Sequence, residues 1–267
     1  MTSFLLDMDG ILYHGDRTLP GAPAFVEELS GHPYLFITNN PIRTPGEVAR
    51  KLRDMGFGGI SEERILTSAQ ATALWLERRQ PDFRYFAVGG QGLVDALSRK
   101  GRQDEEKADF VVVGEGPGLD YDSLTTGINL ILSGGARLVA TNPDTTVDAW
   151  RDGKHLVLPG GGALVAPFEA ATGCKALTIG KPEPLLYEMA MERLNTSAPD
   201  CIMIGDRPDT DIAGAAALGM RTAMVRTGRF QPGEAWPEDI PAPDWDVDSL
   251  PALARAFHSA NLLPNKP

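Results

Sequence analysis

The feature that most constrains this chain is an alternation: short apolar runs take turns with longer segments of helical periodicity over most of its 267 residues. Parallel strands cannot be joined by tight turns and need a crossover, usually a helix. The alternation therefore predicts an α/β protein with a mostly parallel sheet and helices on its faces. Strands are expected at 4–6, 34–37, 176–179, 201–204 and 222–225, with a second set at 85–88, 110–113 and 137–140. Helices are expected at 22–29, 45–55, 68–77, 93–100, 121–132, 184–194 and 212–218. Pro45 suits a first helical position, Gly56 a helix stop and Ser68 an N-cap. The middle strands and helices read as a self-contained module inserted into a larger sheet, and the Pro- and acid-rich stretch 233–245 reads as irregular surface.

Four of the runs end in residues that handle phosphate. Leu6 leads into Asp7-Met8-Asp9-Gly10, Ile37 into Thr38-Asn39-Asn40, Ile179 into Gly180-Lys181-Pro182, and Ile204 into Gly205-Asp206. Ligands of open parallel sheets bind beyond the carboxyl ends of the strands, so four parallel neighbours would bring Asp7, Asp9, Thr38, Lys181 and Asp206 together. Carboxylates about 4 Å apart repel by about 4 kcal/mol per pair at an effective dielectric of about 20. A divalent cation removes that cost, and a set of hard oxygens without His or Cys suits Mg2+. Lys181 adds a positive charge for a phosphoryl group. In that setting Asp7 is the expected nucleophile and Asp9 the general acid and base. Gly10 lets the chain turn beside the phosphate, and Thr38, Asn39 and Asn40 are the expected donors to phosphoryl oxygens.

The chain carries 25 Lys and Arg against 36 Asp and Glu, a net charge of −11. That balance argues against a nucleic-acid partner, which calls for a basic surface, but not against a small anion that feels only its pocket. No apolar run approaches the roughly 18 residues that span a bilayer. The opening MTSFLLDMDG has early acid and no basic lead, so no secretory signal is expected. Cys174 and Cys201 lack metal-binding spacing and read as two buried, reduced thiols, which makes cytoplasm the expected location.

DMDGIL at 7–12, ITNN at 37–40, GKPEP at 180–184 and GDRPDTDI at 205–212 resemble the ordered motifs of the haloacid dehalogenase (HAD) superfamily of phosphatases. With TNPD at 141–144 and the Gly-rich stretch at 159–162, the likeness is greatest to its NagD and p-nitrophenylphosphatase-like branch, subfamily IIA. The resemblance implies a three-layer α/β/α Rossmann-like core over 1–81 and 176–267, with an α/β cap of the C2 type inserted over 82–175. It implies a Mg2+-dependent phosphomonoester hydrolase that forms an aspartyl-phosphate. The substrate would be a small phosphorylated metabolite: a nucleotide, sugar, glycerol or aryl phosphate. Asp7 and Asp206 would hold Mg2+ through side chains and Asp9 through its carbonyl, with Asp211 as an outer partner. A homodimer through the cap is consistent with the same resemblance. Relatives that cleave carbon–halogen bonds lack the second aspartate, so Asp9 favours phosphate-ester chemistry. Pro41 stands where many phosphatases of this branch carry serine.

Taken singly, a DxD pair, a threonine at a strand end or a loop lysine is an ordinary structural feature; the four motifs in order carry the reading. Asp209 reads as a charge at a helix N-terminus, His14 as a surface histidine and Trp75 as core. The run Gly160-Gly161-Gly162 reads either as an anion-wrapping turn or as a flexible link. Two rival classes are a receiver-like regulatory protein, disfavoured by Asp9 and the insertion, and a phosphotransferase or mutase, in which an alcohol outcompetes water. Substrate choice is expected to fall to the inserted module, near 142–144.

Overall fold

The structure, a computed structural model, describes residues 1–151 and 154–264. By internal contacts the chain divides into two compact units, one made of 1–37, 48–66 and 187–267, the other of 38–47 and 67–186. The first part of the chain forms β1 (Ser3–Leu6), a small hairpin of β2 (Tyr13–His14) and β3 (Arg17–Thr18), α1 (Ala22–Glu28), β4 (Tyr34–Thr38), α2 (Pro45–Asp54) and β5 (Ile65–Thr67). The inserted part follows with α3 (Ser68–Arg79), β6 (Arg84–Val88), α4 (Gln91–Ser98), β7 (Arg102–Gln103), β8 (Phe110–Val113), α5 (Tyr121–Leu132) and β9 (Arg137–Ala140). It continues through an antiparallel ribbon of β10 (Thr146–Arg151) and β11 (Lys154–Pro159), then α6 (Gly161–Thr172) and β12 (Leu177–Thr178). The chain ends in α7 (Pro184–Leu194), β13 (Cys201–Gly205), α8 (Ala213–Ala217), β14 (Arg221–Val225), β15 (Trp245–Val247) and α9 (Leu250–Ser259).

In the first unit a six-stranded sheet runs β15-β14-β13-β1-β4-β5. Its central pairs are parallel, with Leu6 opposite both Ile204 and Phe36. Alternate residues Phe4, Leu6, Phe36, Ile202, Ile204 and Val225 share one hydrophobic cluster with Phe25 of α1, Leu52 of α2 and Phe257 of α9. Their neighbours Leu5, Leu35, Met203 and Met224, which point the other way, are also buried. Both faces are therefore covered, as a parallel sheet requires, which leaves α7 and α8, with Tyr187, Ala190 and Ala215 fully buried, for the opposite face.

The second unit repeats the plan with a five-stranded parallel sheet, β12-β9-β8-β6-β7. Val88, Val111, Val113 and Leu138 on one face form a cluster with Leu130 of α5 and Phe168 of α6. α5 begins in a reciprocal cap, in which Asp120 accepts the Ser123 N–H at 2.8 Å and Ser123 Oγ accepts the Asp120 N–H at 2.8 Å.

One strand sits in a different sheet from the one expected. Residues 177–178 do not join β1; Leu177 pairs with Val139 and Thr178 with Ala140 at the edge of the second sheet. Its apolar composition marks it as a strand, but only the open hydrogen-bonding edge of β9 decides its partner. β1, β4 and β13 do lie side by side.

Smaller differences have local causes. Thr67, not Ser68, caps α3, its Oγ1 accepting the Gln70 N–H at 3.2 Å; two adjacent hydroxyl residues offer the same signal one position apart. The helix expected at 212–218 is shorter because a π-helical turn at Pro208–Ile212 precedes it. β5, the β10–β11 ribbon, α6 and α9 are additional to the expected elements. Gly160 and Gly161 form the N-terminal start of α6 instead of a flexible link. Both cysteines are free, but Cys174 is exposed; only Cys201 is buried, which pushes its thiol up to about 12. Among the described residues no helix is long and apolar enough to cross a membrane.

Candidate active site

The first unit gathers carboxylates. The Asp7 N–H extends the ladder past Leu6 by donating to Ile204 O at 2.9 Å, so Asp7 and Asp206 leave the sheet at the same end of neighbouring strands. Asp211 comes from the π-helical turn, and its Oδ2 accepts the backbone N–H groups of Asp206 at 3.2 Å and Arg207 at 3.1 Å. One oxygen from each of Asp7, Asp206 and Asp211 lies within 4.8 Å of the others. The three residues are only 8%, 4% and 0% exposed.

Glycines shape this cluster. A Cβ on Gly10, whose φ is +80°, or on Gly228 would overlap the Asp206 carboxylate, and one on Gly205 would overlap Asp211. The Arg229 N–H donates to Asp206 Oδ2 at 2.9 Å. Three buried carboxylates at this spacing repel one another, and an all-oxygen set so closely grouped fits a hard divalent cation. Asp9 lies outside the trio: its side chain is exposed and meets the Tyr13 hydroxyl at 3.5 Å. Asp209 pairs with Arg207 at 2.7 Å; burial works against its charge, but the Arg207 hydrogen bond prevails and holds it below the usual carboxylate value. Tyr187, absent from the sequence reading, donates to Thr210 O at 2.7 Å and is kept neutral by burial and by the charges of Asp211 and Asp7.

The second unit holds the polar residues that follow β4 and β12. Thr38 is 5% exposed and its Oγ1 accepts the Asn40 N–H at 3.1 Å, while Asn40 Oδ1 accepts the Ile42 N–H at 2.9 Å. Lys181 is 3% exposed. Asn39 grips the lysine's backbone: Oδ1 accepts the Lys181 N–H at 2.7 Å and Nδ2 donates to Lys181 O at 2.9 Å. The same Nδ2 donates to Asp144 Oδ2 at 2.9 Å, which uses the second amide hydrogen. Both hydrogens of the Asn39 side-chain amide are thus engaged within this unit. Asn142 and Asp144, read from sequence as near the substrate-choosing region, are buried in this network, and Glu115, which no sequence signal marks, joins it.

Comparison with known proteins gives a consistent likeness. A family model described as haloacid dehalogenase-like hydrolase matches residues 4–103, and a second, described as HAD-hydrolase-like, matches 178–253. A dihydroxyacetone phosphatase of Corynebacterium glutamicum is 38% identical over 229 residues, covering 85% of this chain and 81% of that one. The 5'-nucleotidase YutF of Bacillus subtilis is 36% identical over 250 residues, covering 92% and 95%. The structure of NagD from E. coli K-12 superposes with a TM-score of 0.82 at 28% identity, over 94% of this chain and 97% of that one.

Proposed function

The chain belongs to the haloacid dehalogenase-like hydrolases, and on that premise we propose that Asp7 attacks the phosphorus of a small phosphate monoester. An Asp7 oxygen forms the new bond to phosphorus as the ester P–O bond breaks, and Asp9 gives its proton to the departing alkoxide. Asp9 then takes a proton from water, whose oxygen displaces Asp7 and releases inorganic phosphate. Thr38, the Asn39 backbone N–H, Asn40 and Lys181 hold the phosphoryl oxygens. The carboxylates of Asp7, Asp206 and Asp211 and the carbonyl of Asp9 would hold Mg2+, which supplies the positive charge that lets anionic groups tolerate an anionic ester.

The observation that carries this reading is the trio of buried carboxylates within 4.8 Å of one another. The named relatives act on a three-carbon sugar phosphate and on nucleotides, which supports a phosphorylated small metabolite as the substrate class. The same reading includes a hydrolase core with an inserted cap, β12 being counted with the cap's sheet, a cytoplasmic location and a homodimer through the cap. The test is phosphate release from a panel of sugar, nucleotide, glycerol and aryl phosphates with and without Mg2+. Release that depends on Mg2+ and disappears in Asp7→Asn is the expected result. Turnover of p-nitrophenyl phosphate by Asp7→Asn would remove Asp7 from its role.

A further inference from the structure

TNPD at 141–144 and the glycine run at 160–162 have no part in the chemistry above, yet Asn142 and Asp144 hydrogen-bond to Asn39, and the glycines pack against Asn142, Pro143 and Asp144. The Asn39 carboxamide closes a two-bond ring on the Lys181 backbone and sends its remaining hydrogen to Asp144. Its orientation is fixed by what it faces. Turned over, the amide would set its Nδ2 against the Lys181 N–H and its oxygen against both Lys181 O and the Asp144 carboxylate. The Asp144 carboxylate, which can only accept, therefore adds to the preference that the Lys181 backbone sets for the one rotamer that grips the lysine.

The surroundings hold this arrangement rigid. Asn39 O accepts from Ser68 Oγ at 2.6 Å and from Asn142 Nδ2 at 2.8 Å. Asn142 Oδ1 accepts the Asp144 N–H at 3.1 Å, and its Nδ2 also reaches Glu115 Oε1 at 3.0 Å. Asn142 is 0%, Glu115 1% and Asp144 6% exposed. The glycines make room: a Cβ on Gly180 would lie 2.6 Å from Asn39 Oδ1 and one on Gly161 2.8 Å from Asn142 Oδ1, while one on Gly160 would overlap Asp144 O.

We infer that Asp144 is a positioning residue for Lys181, acting through Asn39, a role that rests on Lys181 holding the phosphoryl group. A lysine side chain has four rotatable bonds, so where its ammonium arrives depends on a fixed starting backbone. The Asn39–Asp144 pair fixes that backbone from both its N–H and its carbonyl.

A double-mutant cycle on p-nitrophenyl phosphate hydrolysis tests this, with inhibition by inorganic phosphate and the Mg2+-induced thermal shift as further readouts. Asp144→Ala should lower kcat/KM by about 10- to 100-fold, as small misplacements of binding groups do, and weaken phosphate inhibition. The Mg2+-induced shift should stay, because it belongs to the carboxylates of the first unit. Asp144→Asn, which can still offer Asn39 an oxygen, should recover most of the loss. In a Lys181→Met background Asp144→Ala should cost almost nothing more. A full additional loss in that background, unaltered phosphate inhibition in Asp144→Ala, or loss of the Mg2+ shift with it would overturn the role. Should Asp144→Ala not fold, Asn39→Ser carries the same cycle. Failure of the phosphatase reading itself shows separately, as a wild-type protein without Mg2+-dependent phosphate release.

Discussion

The carboxylate trio of the first unit and the Asn39 clamp of the second are both buried polar clusters, and they meet the cost of burial in opposite ways. Around Asp7, Asp206 and Asp211, three carboxylates are drawn together, with the backbone N–H groups of Asp206 and Arg207 donating to Asp211 and that of Arg229 to Asp206. Around Asn39, donors and acceptors alternate through Ser68, Asn142, Asp144 and the Lys181 backbone. Buried like charges repel and call for a neutralising positive charge, whereas alternating donors and acceptors satisfy most of one another's hydrogen-bonding capacity. The first cluster is built to receive a cation; the second is built to hold a neighbour still.

Perturbing each cluster in turn separates these two designs. The largest effect is expected for Asp7→Asn, which should lower p-nitrophenyl phosphate turnover by at least about 10⁴-fold, as loss of a covalent nucleophile does. Chelation with EDTA comes next. It should abolish turnover reversibly, and Mg2+ added back at 100 times its Kd should raise stability by about 2.7 kcal/mol in a melting experiment.

Removing a charge from the trio should then have a sign that nothing in the clamp shows. Asp206→Asn keeps an oxygen for the Arg229 N–H but relieves repulsion, so the metal-free protein should melt a few degrees higher, at about 2–4 °C per kcal/mol, while its response to Mg2+ shrinks. Asn142→Ala takes a donor from Asn39 O and the acceptor from the Asp144 N–H. It should lower the melting temperature with or without Mg2+, at about 1–3 kcal/mol for each group left unsatisfied. If both substitutions shift melting in the same direction, the contrast between the clusters fails.

The smallest effect lies elsewhere in the second unit, at Asp109. Burial opposes its charge, but hydrogen bonds from the Arg84 side chain and backbone outweigh burial and hold its carboxyl below the ordinary 3.8. The stability it contributes is present above the ordinary carboxylate value and lost as the pH falls through the lower folded one. Because the pair is partly exposed, at 33% and 20% of the two side chains, solvent screens it, and Asp109→Asn should change acid stability by less than about 1 kcal/mol.

The sequence by itself determined the alternation of strands and helices, the identity of the strand-end residues and the hard-oxygen character of the Asp set. These are local properties: an apolar run followed by Asp-x-Asp-Gly or Gly-Lys-Pro reads the same wherever it is placed. It also marked TNPD and the three glycines, though not what they do. The ribbon β10–β11 escaped because β11 is exposed almost throughout, Val157 at 60%, so its side chains show no burial period to read.

Only the tertiary structure decided that Leu177–Thr178 joins β9, that Glu115 reaches Asn142, and that the Asn39 amide turns toward Lys181 and Asp144. Each depends on partners between 27 and 142 residues away, such as Asn142 for Glu115 and Lys181 for Asn39. Propensity announces that a strand edge or an amide wants a partner. Which partner it finds is settled by the closure of distant segments onto one another, and that closure has no signature in any one of them.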